Sequence, residues 1–140
     1  MLRLAVVLHL ALAVSAVGAA THAAVFARAS PGSRRLRRLA AWSVGLSLAA
    51  MAVGALIYPR YKLDVRLAWL EAHAPGAARL FDLKEQLVAL AFPMQLGLLL
   101  LLRREAAEPP LQRLLATTAA ALLWAAALLA SWVTVTHAWR

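Results

Sequence analysis

LAVVLHLALAVSAVGAATHAAVFA, residues 4–27, decides the fold class. Its only clearly polar members are His9, Ser15, Thr21 and His22. About 20 apolar residues are enough to carry an α-helix across the hydrocarbon core of a bilayer. Lipid offers no partner for backbone N–H and C=O groups, so a spanning segment satisfies them as a helix. Arg3, the apolar run and its small residues also describe a secretory signal, but a signal core runs only ~7–15 residues. The run is therefore read as a span.

Working outward, three further apolar runs repeat the pattern. The reading is all-α: a four-transmembrane-helix bundle with a short amphipathic outer segment between helices 2 and 3. The chain forms one integral membrane domain over 1–140, with spans at approximately 4–27, 38–58, 77–102 and 111–138. Turn chemistry separates them. Ser30-Pro31-Gly32-Ser33 ends the first helix, and Ser33 caps the second. Ala74-Pro75-Gly76 breaks the second connection. Pro109-Pro110 opens the fourth helix, where a missing N–H costs nothing.

Composition agrees. Of 140 residues 64% are hydrophobic, against roughly half in a soluble domain. The absence of cysteine excludes disulfides, thiolate metal sites and covalent haem attachment, and leaves histidine and carboxylate as metal ligands. The net charge is +9, and 13 of the 15 cations are arginine. They cluster in short segments between apolar runs, as membrane-flanking loops do, rather than along a nucleic-acid-binding face. No Walker loop, Gly-x-Ser-x-Gly, zincin helix or dinucleotide fingerprint occurs, so the chain is expected not to be an enzyme.

Orientation follows from the loops. The first carries Arg28, Arg34, Arg35, Arg37 and Arg38 without an acid; the third carries Arg103, Arg104 and Arg113 with Glu105 and Glu108. The long second connection mixes Arg60, Lys62, Arg66, Arg79 and Lys84 with Asp64, Glu71, Asp82 and Glu85. The dense arginine cluster in a short loop places loops one and three in the cytoplasm. Both termini then face outward from a bacterial inner membrane. Tyr58 and Trp132 sit where interface anchors belong.

Polar residues within this frame form two groups. The outer group comprises His9, Tyr58, Arg60, Tyr61, Arg66, Asp82, Glu85 and Gln86. Asp82 and Glu85, three apart, share a helix face. Carboxylates near a helix N-terminus are favoured by its dipole, so structural pairing competes with a metal or proton-relay role. His137 belongs to the same end. Leu63, Leu67 and Leu70 share one α-helical face, which suggests a short helix lying on the membrane surface. The inner group comprises His22, Ser47 (with Ser43 as its neighbour), Gln95, Thr117 and Thr118. These are expected to bond across helices or to form an intramembrane ligand or proton site. Phe92-Pro93-Met94-Gln95 predicts a kink in the third helix. His9 and His22 are 13 residues apart, roughly 20 Å along a helix, so they belong to different sites. Gly45 with Ala49, Ala50 with Gly54, and Ser15 with Ala19 have small-xxx-small spacing.

Tyr58-Pro59-Arg60-Tyr61, Val65-Arg66 and Leu80-Phe81-Asp82-Leu83-Lys84-Glu85 resemble a pattern of an uncharacterised family of small bacterial four-helix integral membrane proteins. There, Tyr-Pro-x-Tyr…Val-Arg precedes a Phe-(Asp/Glu)-x-Lys-Glu helix start. The resemblance covers the middle third of the chain and carries no activity with it. Its pattern implies histidine after Lys84-Glu85, and this chain has Gln86. The layout is also similar to four-helix membrane cytochromes and copper-resistance membrane proteins, by architecture only.

Three functions are therefore carried forward. The first is an accessory or structural membrane protein that packs with itself or a larger membrane partner. The second is a haem b- or quinone-associated electron-transfer subunit using His9 or His22. The third is a small transport or proton-relay unit using His9, Asp82 and Glu85. The lipid bilayer is a partner in all three; nucleic acid is a partner in none.

Overall fold

The structure, a computed structural model, describes residues 2–104 and 108–138, with side chains over 3–104 and 108–135. His137 falls outside the described side chains. Four long helices account for nearly all of these residues: α1 (Leu2–Ala29), α2 (Arg34–Tyr61), α3 (Pro75–Leu101) and α4 (Pro109–Ala138). α1 packs antiparallel to α2, and α3 to α4. α4 closes the bundle against α1, and α2 lies beside α3. All four are long and apolar enough to cross a membrane, the build of an integral membrane protein.

Each turn has a local cause. Gly32 takes φ 72°, the left-handed region that glycine enters without a Cβ penalty. The Ser33 hydroxyl then accepts a bond from the Leu36 N–H at 3.2 Å and caps α2. Ala74 leaves helical geometry at φ −146°, ψ 63°, since the residue before a proline is pushed out of the α region. Pro75 and Pro109 each open a helix.

The interior is built mainly of alanine in three layers. At the arginine-rich end Ala23, Ala27, Leu36, Ala40, Leu98, Leu102 and Ala116 pack together. Ala20, Ala91, Ala120 and Leu123 form the middle. At the far end Leu70, Ala77, Ala78 and Val133 close the bundle. Small side chains let membrane helices approach closely. Of the small pairs read from sequence, Ala50 and Gly54 lie against α1, whereas Gly45 has open space around it and Ser15 is exposed. The outside is the reverse of a soluble protein: Leu4, Val7, Val14, Trp42, Leu56, Leu114, Trp124, Leu128 and Trp132 are all exposed. Exposed apolar area on this scale needs an apolar solvent.

One expectation changes in form. The amphipathic segment after α2 is helical but not separate. α2 runs on as a π-helix, Lys62–Leu70, and a last α-turn, Glu71–His73, giving one unbroken helix Arg34–His73. Pro59, inside α2, cannot donate to the preceding turn, and the change of winding begins three residues later. π-winding closes bonds five residues apart, as in Glu71 N–H to Arg66 C=O. The α-helical face Leu63/Leu67/Leu70 is therefore split. Leu70 is fully buried, while Leu63 and Leu67 are exposed at 62% and 45%. Val65 and Trp69 pack with Leu70 instead.

The extension also leans across the end of the bundle. Leu36 shares a layer with Leu102, and Leu70 shares one with Ala77. That height takes 34 residues on α2 and its extension but 25 on α3. A straight α-helix rises about 1.5 Å per residue, so the excess is taken up by slant and by the wider winding. Pro93 lies within α3, and the helix continues through it.

Candidate functional site

At the far end, π-winding and the lean bring the second connection onto the start of α3. Arg66 grips Asp82 in a two-pronged fork: Nη2 donates to Oδ2 at 3.0 Å, and Nη1 lies 3.0 Å from Oδ1. Its Nε donates to Glu71 Oε1 at 3.3 Å, a spacing of five that π-winding places on one face. The Tyr58 hydroxyl lies close enough to the guanidinium to favour its charged form. Alongside, Tyr61 stacks on Phe81 with ring centroids 4.6 Å apart, and Lys84 Nζ sits 4.0 Å over that ring. The ammonium faces the negative π-cloud.

These groups hold the extension on α3. Of the outer residues read from sequence, Tyr58, Tyr61, Arg66 and Asp82 come together here. Glu85 is half-buried nearby on α3, while Arg60 and Gln86 are exposed. Among the described residues no three His, Asp or Glu side chains converge as a metal site would need. Partly solvated pairs are worth little individually, although a bidentate fork is the stronger kind. Asp82→Asn is expected to loosen the extension by about 1 kcal/mol. Amide exchange over Lys62–Leu70 would quicken about fivefold while α1 stays unchanged; unchanged exchange in the extension would show that the fork does not hold it.

His9 does not belong to this group. Its Nδ1 lies 2.8 Å from the Ala50 carbonyl of α2. A carbonyl only accepts, so Nδ1 carries the proton. Gly54, one turn on, makes room: a Cβ there would stand 3.1 Å from His9 Cε1. The pairing fastens α1 to α2.

The inner group separates too. Ser43, Ser47 and Gln95 are 2%, 5% and 2% exposed, inside the bundle. Among the described residues, their hydroxyls and both amide atoms of Gln95 have no hydrogen-bond partner. Thr117 bonds back to the Arg113 carbonyl at 2.7 Å, and Thr118 is half-buried. His22 lies outside the core. It is exposed, and its Nδ1 meets the Gly18 carbonyl of its own helix at 2.8 Å. Its Nε2 is then left as a lone-pair acceptor. Gln95→Met, which keeps the length and removes the unpaired amide, is expected to raise stability by about 1 kcal/mol. A drop in melting temperature would mean that the amide is paired.

Two polar links were not read from the sequence. Gln112, 1% exposed, accepts the Gly32 N–H at 2.9 Å and ties the first turn to α4 across 80 positions. Trp124 Nε1 donates to Thr21 Oγ1 at 3.0 Å, joining α4 to α1. The sequence places Gln112 at the start of the fourth span, beside Arg113, with nothing that singles it out as a link to another helix. The signal available was an uncharged amide on the first turn of a helix beside a glycine turn with unmet N–H groups. No family model, curated protein or solved structure matches the chain.

Proposed function

We propose that this chain is a small accessory protein of the membrane, acting by packing against a larger membrane protein or a second copy rather than by chemistry of its own. His22 carries the reading. Ionisable side chains within a span normally face the bundle interior or a water-filled cavity. This one is exposed on α1, roughly 9 Å along the helix from Arg28, and its Nε2 is available to accept from a donor outside the chain. A neighbouring helix that supplies that donor would remove the cost of an imidazole in lipid. The charged and imidazole groups that are paired inside the fold support the reading: Arg66 with Asp82 and Glu71, His9 with Ala50, His73 with the Trp69 carbonyl.

Light scattering on particles extracted from native membranes in mild detergent tests this. The particle is expected to contain more protein than one 15.0 kDa chain, and His22→Leu is expected to weaken the assembly about three- to tenfold. A single chain per particle, or an assembly indifferent to His22→Leu, would sink the proposal. A Soret band lost on His9→Ala or His22→Ala would instead make it an electron-transfer subunit.

We place the protein in a bacterial inner membrane with its arginine-rich end in the cytoplasm, on the strength of the acid-free cluster Arg28 to Arg38. A Ser30→Cys variant tests that orientation without touching the Ser33 cap. It should resist an impermeant thiol reagent added outside intact cells; labelling would reverse the orientation.

A further inference from the structure

The seam between α1 and α4 is closed along its floor by alanine and open outward. A groove of about 620 Å³ runs there, bounded by Thr21, Val25 and Arg28 of α1 and by Thr117, Ala120 and Trp124 of α4. Past Trp124 a smaller, more enclosed hollow of about 260 Å³ follows along Val14, Gly18 and Ala127. From Val14 to Arg28 the groove follows roughly 20 Å of helix. One leaflet of a ~30 Å hydrocarbon core is about 15 Å deep, so the groove has the length of one acyl chain and its glycerol linkage.

Its polar groups are satisfied from within. Thr21 donates to the Val17 carbonyl and accepts from Trp124, and Thr117 donates to Arg113. The walls therefore behave as apolar surface. Arg28 is the exception. It stands exposed at the mouth and forms no ion pair among the described residues. A cation in the last turn complements the helix dipole, but that alone does not seat it at the head of an apolar groove. A guanidinium there matches a phosphate in both charge and planar donor geometry.

We propose that this groove binds one anionic phospholipid, its acyl chain lying between α1 and α4 and its phosphate on Arg28. This is independent of any protein partner. The test is native mass spectrometry of the delipidated full chain in mild detergent. Palmitoyl-oleoyl phosphatidylglycerol is titrated against phosphatidylcholine with the same chains. The wild type should retain one phosphatidylglycerol with about fivefold preference, the worth of one interfacial arginine. Arg28→Gln should abolish the preference. Val25→Trp, filling the groove from its exposed flank, should lower retention of both lipids. Arg104→Gln, exposed at the same end, should behave as wild type. Equal retention of the two lipids, a preference erased as fully by Arg104→Gln as by Arg28→Gln, or a second copy held in place of lipid would overturn the assignment.

Discussion

A leucine at position 54 is expected to destabilise the bundle by about 3 kcal/mol, a fall of roughly 10 °C in melting temperature. The cause is local. The Cβ alone would come within 3.1 Å of His9 Cε1 and 3.3 Å of Nδ1, and the rest of the side chain needs space the imidazole fills. Either the ring leaves the Ala50 carbonyl or α1 moves away from α2. A compensating change separates this clash from a general dislike of leucine: His9→Ala in the Gly54→Leu background should recover at least half of the loss. If the single variant melts like wild type, the ring does not occupy that notch.

Gln112→Ala is expected to cost about 2–3 kcal/mol, or roughly 8 °C. The amide is buried, so its removal loses a hydrogen bond and leaves unfilled volume; Gly32 lies on an exposed turn, where water can take up its N–H. Gly32→Ala keeps the N–H but places a Cβ on a backbone at φ 72°, so it should cost about 1–2 kcal/mol through strain. Thermal unfolding followed by circular dichroism in one detergent compares the two. A loss below about 0.5 kcal/mol for Gln112→Ala, the range of ordinary surface substitutions, would show that the turn closes without it.

The four helices were legible because lipid imposes a single demand, length of apolar helix, that composition answers directly. Ser33 and Pro109 marked helix starts, and Pro75 a break, because each acts within a few residues: Ser33 through its hydroxyl on the Leu36 N–H, the prolines through their fixed φ and missing N–H. What failed to show was anything that depends on winding or on which face meets which. Leu63, Leu67 and Leu70 align only on an α-helix, and π-winding after Pro59 redistributes them. His9 was assigned by depth to the outer carboxylates, yet a glycine notch on α2 claims it first. His22 was assigned to an inner layer by the same measure, and helix rotation turns it outward. Arg66 and Asp82 stood in one outer group without being paired; Arg79, three residues from Asp82, was the nearer partner in sequence, and the Arg66 fork depends on how the extension packs on α3. Gln112 and Gly32 lie 80 positions apart, and no local signal links them.

The alanine seam has a consequence in conformational entropy and in sequence drift. Ala20, Ala23 and Ala27 of α1 share buried layers with Ala116 and Ala120 of α4. Alanine has no rotamers to lose, whereas each buried leucine or isoleucine would give up ~0.5–1 kcal/mol of side-chain freedom. The seam therefore closes with almost no ordering of side chains. It also cannot absorb growth, since a methyl group leaves nothing to rearrange. Glycine and serine are the only neighbours in size, so this line of the chain should drift among three residue types while the lipid-facing leucines exchange freely with valine, isoleucine and phenylalanine.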